Sequence, residues 1–167
     1  MEDQRIALLS DSHDAGKNLR WALEELRSRD IREIIFCGDL KSPEMLSHFE
    51  GYRFSMVLGN ADRDEEGIRA RARELFGPNG VSRTFEAERA GTRIAVAHGH
   101  TRRLRELIEA GRYDYVIHGH THRRRDETIG GTRVINPGAL GGIKRESRSF
   151  CLLDPAAGTV EFLEMES

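Results

Sequence analysis

Eight side chains in this sequence could carry chemistry, and seven of them suit a metal centre. Asp11 and His13 follow the apolar run Ile6 to Leu9; Asp39 follows Ile34 to Cys37; Asn60 follows Phe54 to Leu58. His98 ends the run Thr92 to Ala97, with His100 two residues on, and His120 and His122 close the stretch His118-Gly119-His120-Thr121-His122 after Tyr113 to Ile117. Imidazoles one residue apart at the mouth of a strand present neutral nitrogen ligands to a metal. Seven mixed oxygen and nitrogen donors exceed what one tetrahedral ion takes, and they suit two ions about 4 Å apart bridged by a carboxylate. Imidazole mixed with carboxylate, and no cysteine in the set, favours Mn, Fe or Zn over Mg or Ca.

Donors so far apart in sequence must be gathered by the fold. Every one of them ends an apolar run, and in open α/β sheets ligands collect beyond the carboxyl ends of the strands. The runs Ile6–Leu9, Ile34–Cys37 and Phe54–Leu58 read as strands. Leu19, Leu23 and Leu26 recur at helical spacing and predict a helix over about Lys17 to Arg29. Ser42-Pro43 predicts a short helix with a serine cap, turning Met45, Leu46 and Phe49 inward. Ile68, Ala72, Leu75 and Phe76 mark another helix, stopped by Gly77-Pro78, and Leu104, Leu107 and Ile108 a third, closed at Gly111. Thr84–Glu88 and Thr92–Ala97 read as a hairpin about Ala90-Gly91. Arg123–Ile129, Arg133–Ile135, Ser149–Leu153 and Thr159–Met165 are further strands, with Gly130-Gly131 and Asp154 to Gly158 as turns. Alternation of strand and helix in the first half predicts parallel pairing; short strands and tight turns in the last third predict antiparallel pairing. The expected architecture is an α/β sandwich of two sheets.

Composition narrows the function classes. The 167 residues are 38% hydrophobic and 32% charged, enough for one domain with a real core and a heavily charged surface. A net charge of −2 speaks against a protein whose main work is gripping nucleic-acid phosphates. Cys37 and Cys151 are too few for a disulfide framework and read as buried free thiols. The first five residues lead straight into a strand with no leader-like apolar stretch, and no run approaches the roughly 20 residues that span a bilayer. A cytoplasmic protein without membrane partners is expected.

Taken in order, Asp11-Ser12-His13, Gly38-Asp39, Gly59-Asn60, His98 and Gly119-His120-Thr121-His122 resemble the motifs of the calcineurin-like metallophosphoesterase superfamily. The resemblance runs from Asp11 to Gly138. The short chain and Gly59-Asn60-Ala61-Asp62 are most similar to its small YfcE-type bacterial and archaeal phosphodiesterases. The resemblance implies two mixed sheets packed as a sandwich flanked by helices, in four layers. It implies that Asp11, His13, Asp39 and His122 hold one divalent metal and Asp39, Asn60, His98 and His120 a second, with manganese, iron, zinc or nickel as the ions. It implies hydrolysis of a small phosphate ester, a diester above all, by a hydroxide bridging the two metals, and a homodimer. Where many members carry histidine after the asparagine, this chain has Ala61, so protonation of the leaving group is expected from elsewhere, with His100 the candidate. A non-catalytic scaffold of the same fold, as in the retromer subunit, is the competing reading. A nuclease would need an extra domain to grip DNA, for which the chain has no room.

Other residues have plainer readings. Asp62-Arg63-Asp64-Glu65 fits a helix N-cap with a reciprocal glutamate. His118 reads as a buried supporting histidine and His48 as surface. Arg123-Arg124-Arg125, Arg102 and Arg103 read as solvated cations. Asn136-Pro137-Gly138 is a turn by composition, and the family resemblance implies that it buttresses the metal loops.

Overall fold

The computed structural model describes residues 4–167. Eleven strands form two sheets. The first sheet contains β1 (Ile6–Leu9), β2 (Glu33–Phe36), β3 (Arg53–Val57), β4 (Val81–Ser82), β10 (Ser149–Asp154) and β11 (Thr159–Glu164), in the order β11-β10-β1-β2-β3-β4. The second contains β5 (Phe85–Arg89), β6 (Thr92–Val96), β7 (Tyr115–Ile117), β8 (Arg125–Ile129) and β9 (Thr132–Asn136), in the order β5-β6-β7-β9-β8.

The apolar runs are continuous because these strands are covered on both faces. Side chains alternate along a strand, so Ile6 and Leu8 meet Ile94, Val96, Ile117 and Ile135 between the sheets. Ala7 and Leu9 turn the other way, under α1 (Gly16–Ser28) and α2 (Glu65–Phe76), against Leu19, Leu23, Leu26 and Ile68. On the outer face of the second sheet, Ala95 and Val116 pack beneath Leu107 of α3 (Arg103–Glu109). The result is helices, sheet, sheet, helix: the expected α/β sandwich of two mixed sheets. A chain of aromatic contacts, Phe36–Phe49–Phe54–Phe76, stiffens one flank. Phe49 is wholly buried, and Phe49→Ala would cost about 3–5 kcal/mol.

The pairing departs from expectation in the last third. β1 to β4 are parallel as predicted, but β7 also pairs in parallel with both β6 and β9; only β8–β9, β10–β11 and β1–β10 are antiparallel there. Short strands joined by turns misled because the β7-to-β9 crossover is made by the edge strand β8 rather than by a helix. The predicted serine-capped helix is a 3₁₀ segment, Pro43–Phe49, and Ser42 does not cap it. The Ser42 hydroxyl donates to Asp14 instead, at 2.7 Å, tying the loops after β1 and β2 together.

Candidate metal centre

All the donor residues singled out in the sequence lie beyond the carboxyl ends of β1, β2, β3, β6 and β7. Two groups of donor atoms form, each within 4.8 Å: Asp11, His13, Asp39 and His122, and Asp39, His98 and His120. Asp39 is common to both. Its Oδ1 accepts the Ala61 N–H at 2.8 Å. Its Oδ2 lies 3.4 Å from His13 Nε2 and 3.2 Å from His98 Nε2, one oxygen between two imidazoles. Asn60 Oδ1 lies 3.1 Å from both His98 Nε2 and His120 Nδ1, which places it with the second group.

Asp11 divides its two oxygens. Oδ2 accepts from the Ser10 hydroxyl and from the His120 N–H at 3.0 Å. Oδ1 is buried without a hydrogen-bond donor, 3.2 Å from His122 Nε2 and 3.7 Å from His13 Nε2. His13 Nε2 is likewise buried and unpartnered. Such orphaned atoms are rare in a folded interior. Carbonyl partners fix two of the rings. His98 Nδ1–H donates to the Cys37 carbonyl and His122 Nδ1–H to that of Ile143, each at 2.7 Å, so both Nε2 lone pairs face oxygen acceptors. Lone pairs aimed at lone pairs need a cation between them. Donors about 2.1 Å from a shared ion stand about 3 Å apart when adjacent, the separation found here. The residues fit two divalent ions.

The electrostatics follow from this crowding. Burial pushes the Asp11 carboxyl up, but the imidazoles of His122, His13 and His98 crowded against it and the Ser10 hydroxyl outweigh that and hold it well below the usual carboxylate range. Burial likewise opposes ionisation of Asp39, and His98 with the Ala61 N–H reverses that. Burial depresses His100 and His120, with the neighbouring histidines adding to it.

Local backbone geometry is unusual here. Asp11, His13, Asp39, His120 and His122 all have positive φ, between 44° and 69°, a region that costs a non-glycine residue free energy and that collects at functional sites. The structure holds them there with side-chain ties. Asn136 Nδ2 donates to the Gly119 carbonyl at 2.9 Å and to Thr121 Oγ1 at 3.0 Å, so the Asn136 turn does support the histidine loop. Gly119 is required for closeness: a Cβ there would sit 2.0 Å from Ser10 Oγ and 2.4 Å from Asp11 Oδ2.

Several plain readings need correction. Asp62 is no helix cap; Asp64 caps α2, accepting from the Gly67 N–H at 3.0 Å. The buried Asp62 carboxylate accepts three backbone N–H bonds, from Asp39 and Gly59 on Oδ2 (2.9 and 2.7 Å) and Lys41 on Oδ1 (2.7 Å). It clamps the β2 and β3 loops together. Two of the three consecutive arginines are paired: Arg124 to Glu146 and Glu164, and Arg125 to Glu127 and His118. Arg103 pairs with Glu106 and Glu86. His48 is half-buried on the 3₁₀ segment rather than fully at the surface. His118 is buried as expected, bonded to the Gly119 carbonyl and Arg125, with its pKa pushed down by burial to about 4. His100 stands outside both donor groups, exposed, its ring 5.4 Å from that of His98 and 6.2 Å from that of His120.

One segment escaped the sequence reading. Leu140 to Ile143 runs as a strap against the first donor group, with Gly141 N–H donating to the Asp11 carbonyl at 2.7 Å. At Gly142, φ is +66° and a Cβ would lie 2.7 Å from both the His122 and His13 rings. The Gly141-Gly142 pair was the available signal.

Residues 5–158 match the calcineurin-like phosphoesterase superfamily domain. The chain belongs to that superfamily. It is 30% identical over 105 residues to phosphodiesterase MJ0936 of Methanocaldococcus jannaschii, an alignment covering 62% of this chain and 63% of that protein. Among solved structures it is similar to an archaeal phosphodiesterase, with TM-score 0.86, 27% identity, and 96% and 99% of the two chains covered. The Escherichia coli phosphoesterase Yfce shares the fold at TM-score 0.68 and 16% identity, over 97% of this chain and all of that one. Among the described residues of this superfamily member, no helix is long and apolar enough to cross a membrane.

Proposed function

We propose that this chain is a dinuclear metal-dependent phosphodiesterase. The observation that carries the proposal is the single Asp39 Oδ2, 3.4 Å from His13 Nε2 on one side and 3.2 Å from His98 Nε2 on the other. A carboxylate oxygen in that position could serve two ions, one on each side. Asp11, His13, Asp39 and His122 would hold one, and Asp39, Asn60, His98 and His120 the other. Mixed imidazole and carboxylate donors suit manganese first, with iron, zinc and nickel as further candidates. Two bound cations lower the pKa of bound water and neutralise charge on a phosphoryl group.

The chain's own residues do the rest. Asp39 keeps its Oδ2 in the shared position because Ala61 and Asp62 fix its Oδ1 and its backbone. Carbonyls of Cys37 and Ile143 hold the protons of His98 and His122 on Nδ1 and so keep Nε2 free as a donor. Asn60 and His120 are exposed and face a substrate entering from solvent. The Ala61 side chain offers no hydrogen bond to a leaving group. His100, exposed with its ring 5.4 Å from that of His98 and 6.2 Å from that of His120, is the candidate to hydrogen-bond the departing oxygen. A non-catalytic scaffold would have no need of the complete donor set, the orphaned Asp11 Oδ1 or the backbone strain at five donor residues.

The test is hydrolysis of an aryl phosphodiester and an aryl phosphomonoester by metal-stripped protein resupplied with Mn²⁺, with Asp39→Ala alongside. Metal-dependent cleavage of the diester by the unmutated protein alone is expected. Preference for the monoester would change the substrate class, and binding of two metals without any cleavage would favour the scaffold.

A further inference from the structure

The strap against the first donor group carries two glycines in a row, the least self-supporting pair a chain can offer. Neither can be replaced by a stiffer residue. A Cβ on Gly141 would lie 2.0 Å from the Ser12 carbonyl oxygen, and one on Gly142 2.7 Å from the His13 and His122 rings. Yet the strap must stand still, because the Ile143 carbonyl that follows accepts from His122 Nδ1–H at 2.7 Å. That bond leaves His122 Nε2 3.2 Å from Asp11 Oδ1.

The fixing comes from one side chain. Arg148 donates from Nη1 to the Gly141 carbonyl at 2.6 Å and from Nη2 to the Gly142 carbonyl at 2.8 Å. Among the described residues no backbone N–H reaches either carbonyl. The neck of the loop closes without this arginine: the Ser149 N–H donates to the Ala139 carbonyl at 3.4 Å, and the Asn18 amide to the Leu140 carbonyl at 2.6 Å. A planar guanidinium fork can span two successive carbonyls, and an ammonium cannot. Arg148 is also set apart from Arg124 and Arg125, which pair with glutamates. It is half-buried and meets no carboxylate among the described residues, and burial pushes its pKa down. A cation that loses hydration without gaining a counter-charge stands at a cost. What it gains here is the two glycine carbonyls.

We propose that Arg148 is a positioning residue for the enclosed half of the metal centre. Through the Gly141 and Gly142 carbonyls it sets where the Ile143 carbonyl stands, and so the ring pose of His122, while touching neither ion nor substrate. The proposal rests on the dinuclear reading and deepens it. The contacts of the strap fall on Asp11, Ser12, His13 and His122. The His98 ring is held separately, by the Cys37 carbonyl at 2.7 Å. Arg148 therefore acts on one ion and not on the other. An arginine that only closed a loop would lower Tm and leave both ion affinities alone.

The test is calorimetric titration of metal-stripped protein with Zn²⁺, which needs no turnover. Arg148→Met keeps the length and removes both donors; Arg148→Lys keeps the charge on a single point donor. Long-range ¹H–¹⁵N spectra assign each step of the titration to the His122 or the His98 side. In Arg148→Met the affinity for the enclosed ion is expected to fall about tenfold or more, with the open ion unchanged and Arg148→Lys between. The His122 Nδ1–H should exchange faster with water, and the His98 Nδ1–H at its former rate. Equal losses at both ions, or an enclosed ion bound as before, would overturn the proposal. Uptake of fewer than two ions by the wild type would instead overturn the dinuclear reading, and this proposal with it. Should Arg148→Met not fold, Arg148→Lys combined with Gly142→Ala decides. Both changes act on one strap, so their losses at the enclosed ion should combine to less than their product; full additivity would overturn the proposal.

Discussion

The two donor groups sharing Asp39 differ in how much protein surrounds them. The Asp11–His13–His122 group is enclosed: Asp11 is fully buried, the side chains of His122 and His13 are 11% and 21% exposed, and the glycine strap lies against both rings. The group containing His98 is open, because Asn60 and His120 are exposed and, apart from the shared Asp39, only His98 is buried. Enclosed donors arrive already positioned, with supporting hydrogen bonds on nearly every one, and a preorganised site holds its ion more tightly. Open donors leave room for exchange and for substrate. One half of the centre is built to retain and the other to admit.

The sharpest way to break that asymmetry is to remove what the halves share. Asp39→Ala is expected to abolish binding of both ions, lowering kcat/KM by more than the roughly 100-fold that loss of a supporting residue costs. Metal content after dialysis, read alongside activity, checks it; one full equivalent of metal remaining would show that Asp39 does not bridge. Single donors come next. His120→Ala should leave one ion bound and release the other, whereas His122→Ala should loosen the enclosed ion and, through the lost bond to the Ile143 carbonyl, lower the Tm of the metal-loaded protein further. Equal losses from the two variants would mean that enclosure does not set affinity.

Much of this centre was legible in the sequence because each donor directly follows an apolar run, and strand ends in such sheets share a rim. Asp11, Asp39, Asn60, His98 and His120 needed only that rule. What the sequence hid were the ties between loops. Asp62 lies two residues before the true cap, Asp64, so a cap reading was locally consistent; nothing along the chain shows that its carboxylate reaches Asp39, 23 residues away. Gly141 and Gly142 were likewise only a turn until the His13 and His122 rings were seen against them. The second sheet's pairing was misread for the same reason: β7 and β9 are parallel through a crossover that contains no helix.

Asp62 sharpens the comparison from the open side. It holds Asp39 and Gly59, and through Gly59 the loop bearing Asn60. Asp62→Ala leaves three buried or half-buried N–H groups without their acceptor, and such groups cost about 1–3 kcal/mol each when unsatisfied. The expected result is a lower Tm together with metal affinity at the open group reduced by roughly 10- to 100-fold. Asp62→Asn, which keeps one oxygen for the Asp39 and Gly59 N–H groups, should recover part of both. A fall in Tm with both metal affinities unchanged would reduce Asp62 to a purely structural clamp.

The smallest effect tests why the open half lacks a donor to the departing oxygen at residue 61. Ala61 is half-buried beside Asn60, and its N–H already serves Asp39 Oδ1 at 2.8 Å, so only its side chain can be changed without disturbing the shared carboxylate. An imidazole there would reach the mouth of the open group, on the side where Asn60 and His120 face solvent. A general acid matters most when the leaving group is a poor one. Ala61→His is therefore expected to raise kcat for alkyl phosphodiesters about tenfold or more and to leave aryl diesters, whose leaving groups need no proton, nearly unchanged. The double change Ala61→His/His100→Ala then decides whether the two imidazoles do the same work. If the alkyl gain persists without His100, the new imidazole supplies the proton alone. If both ester types respond equally, departure of the leaving group does not limit this enzyme, and the open half differs from the enclosed one in metal exchange only.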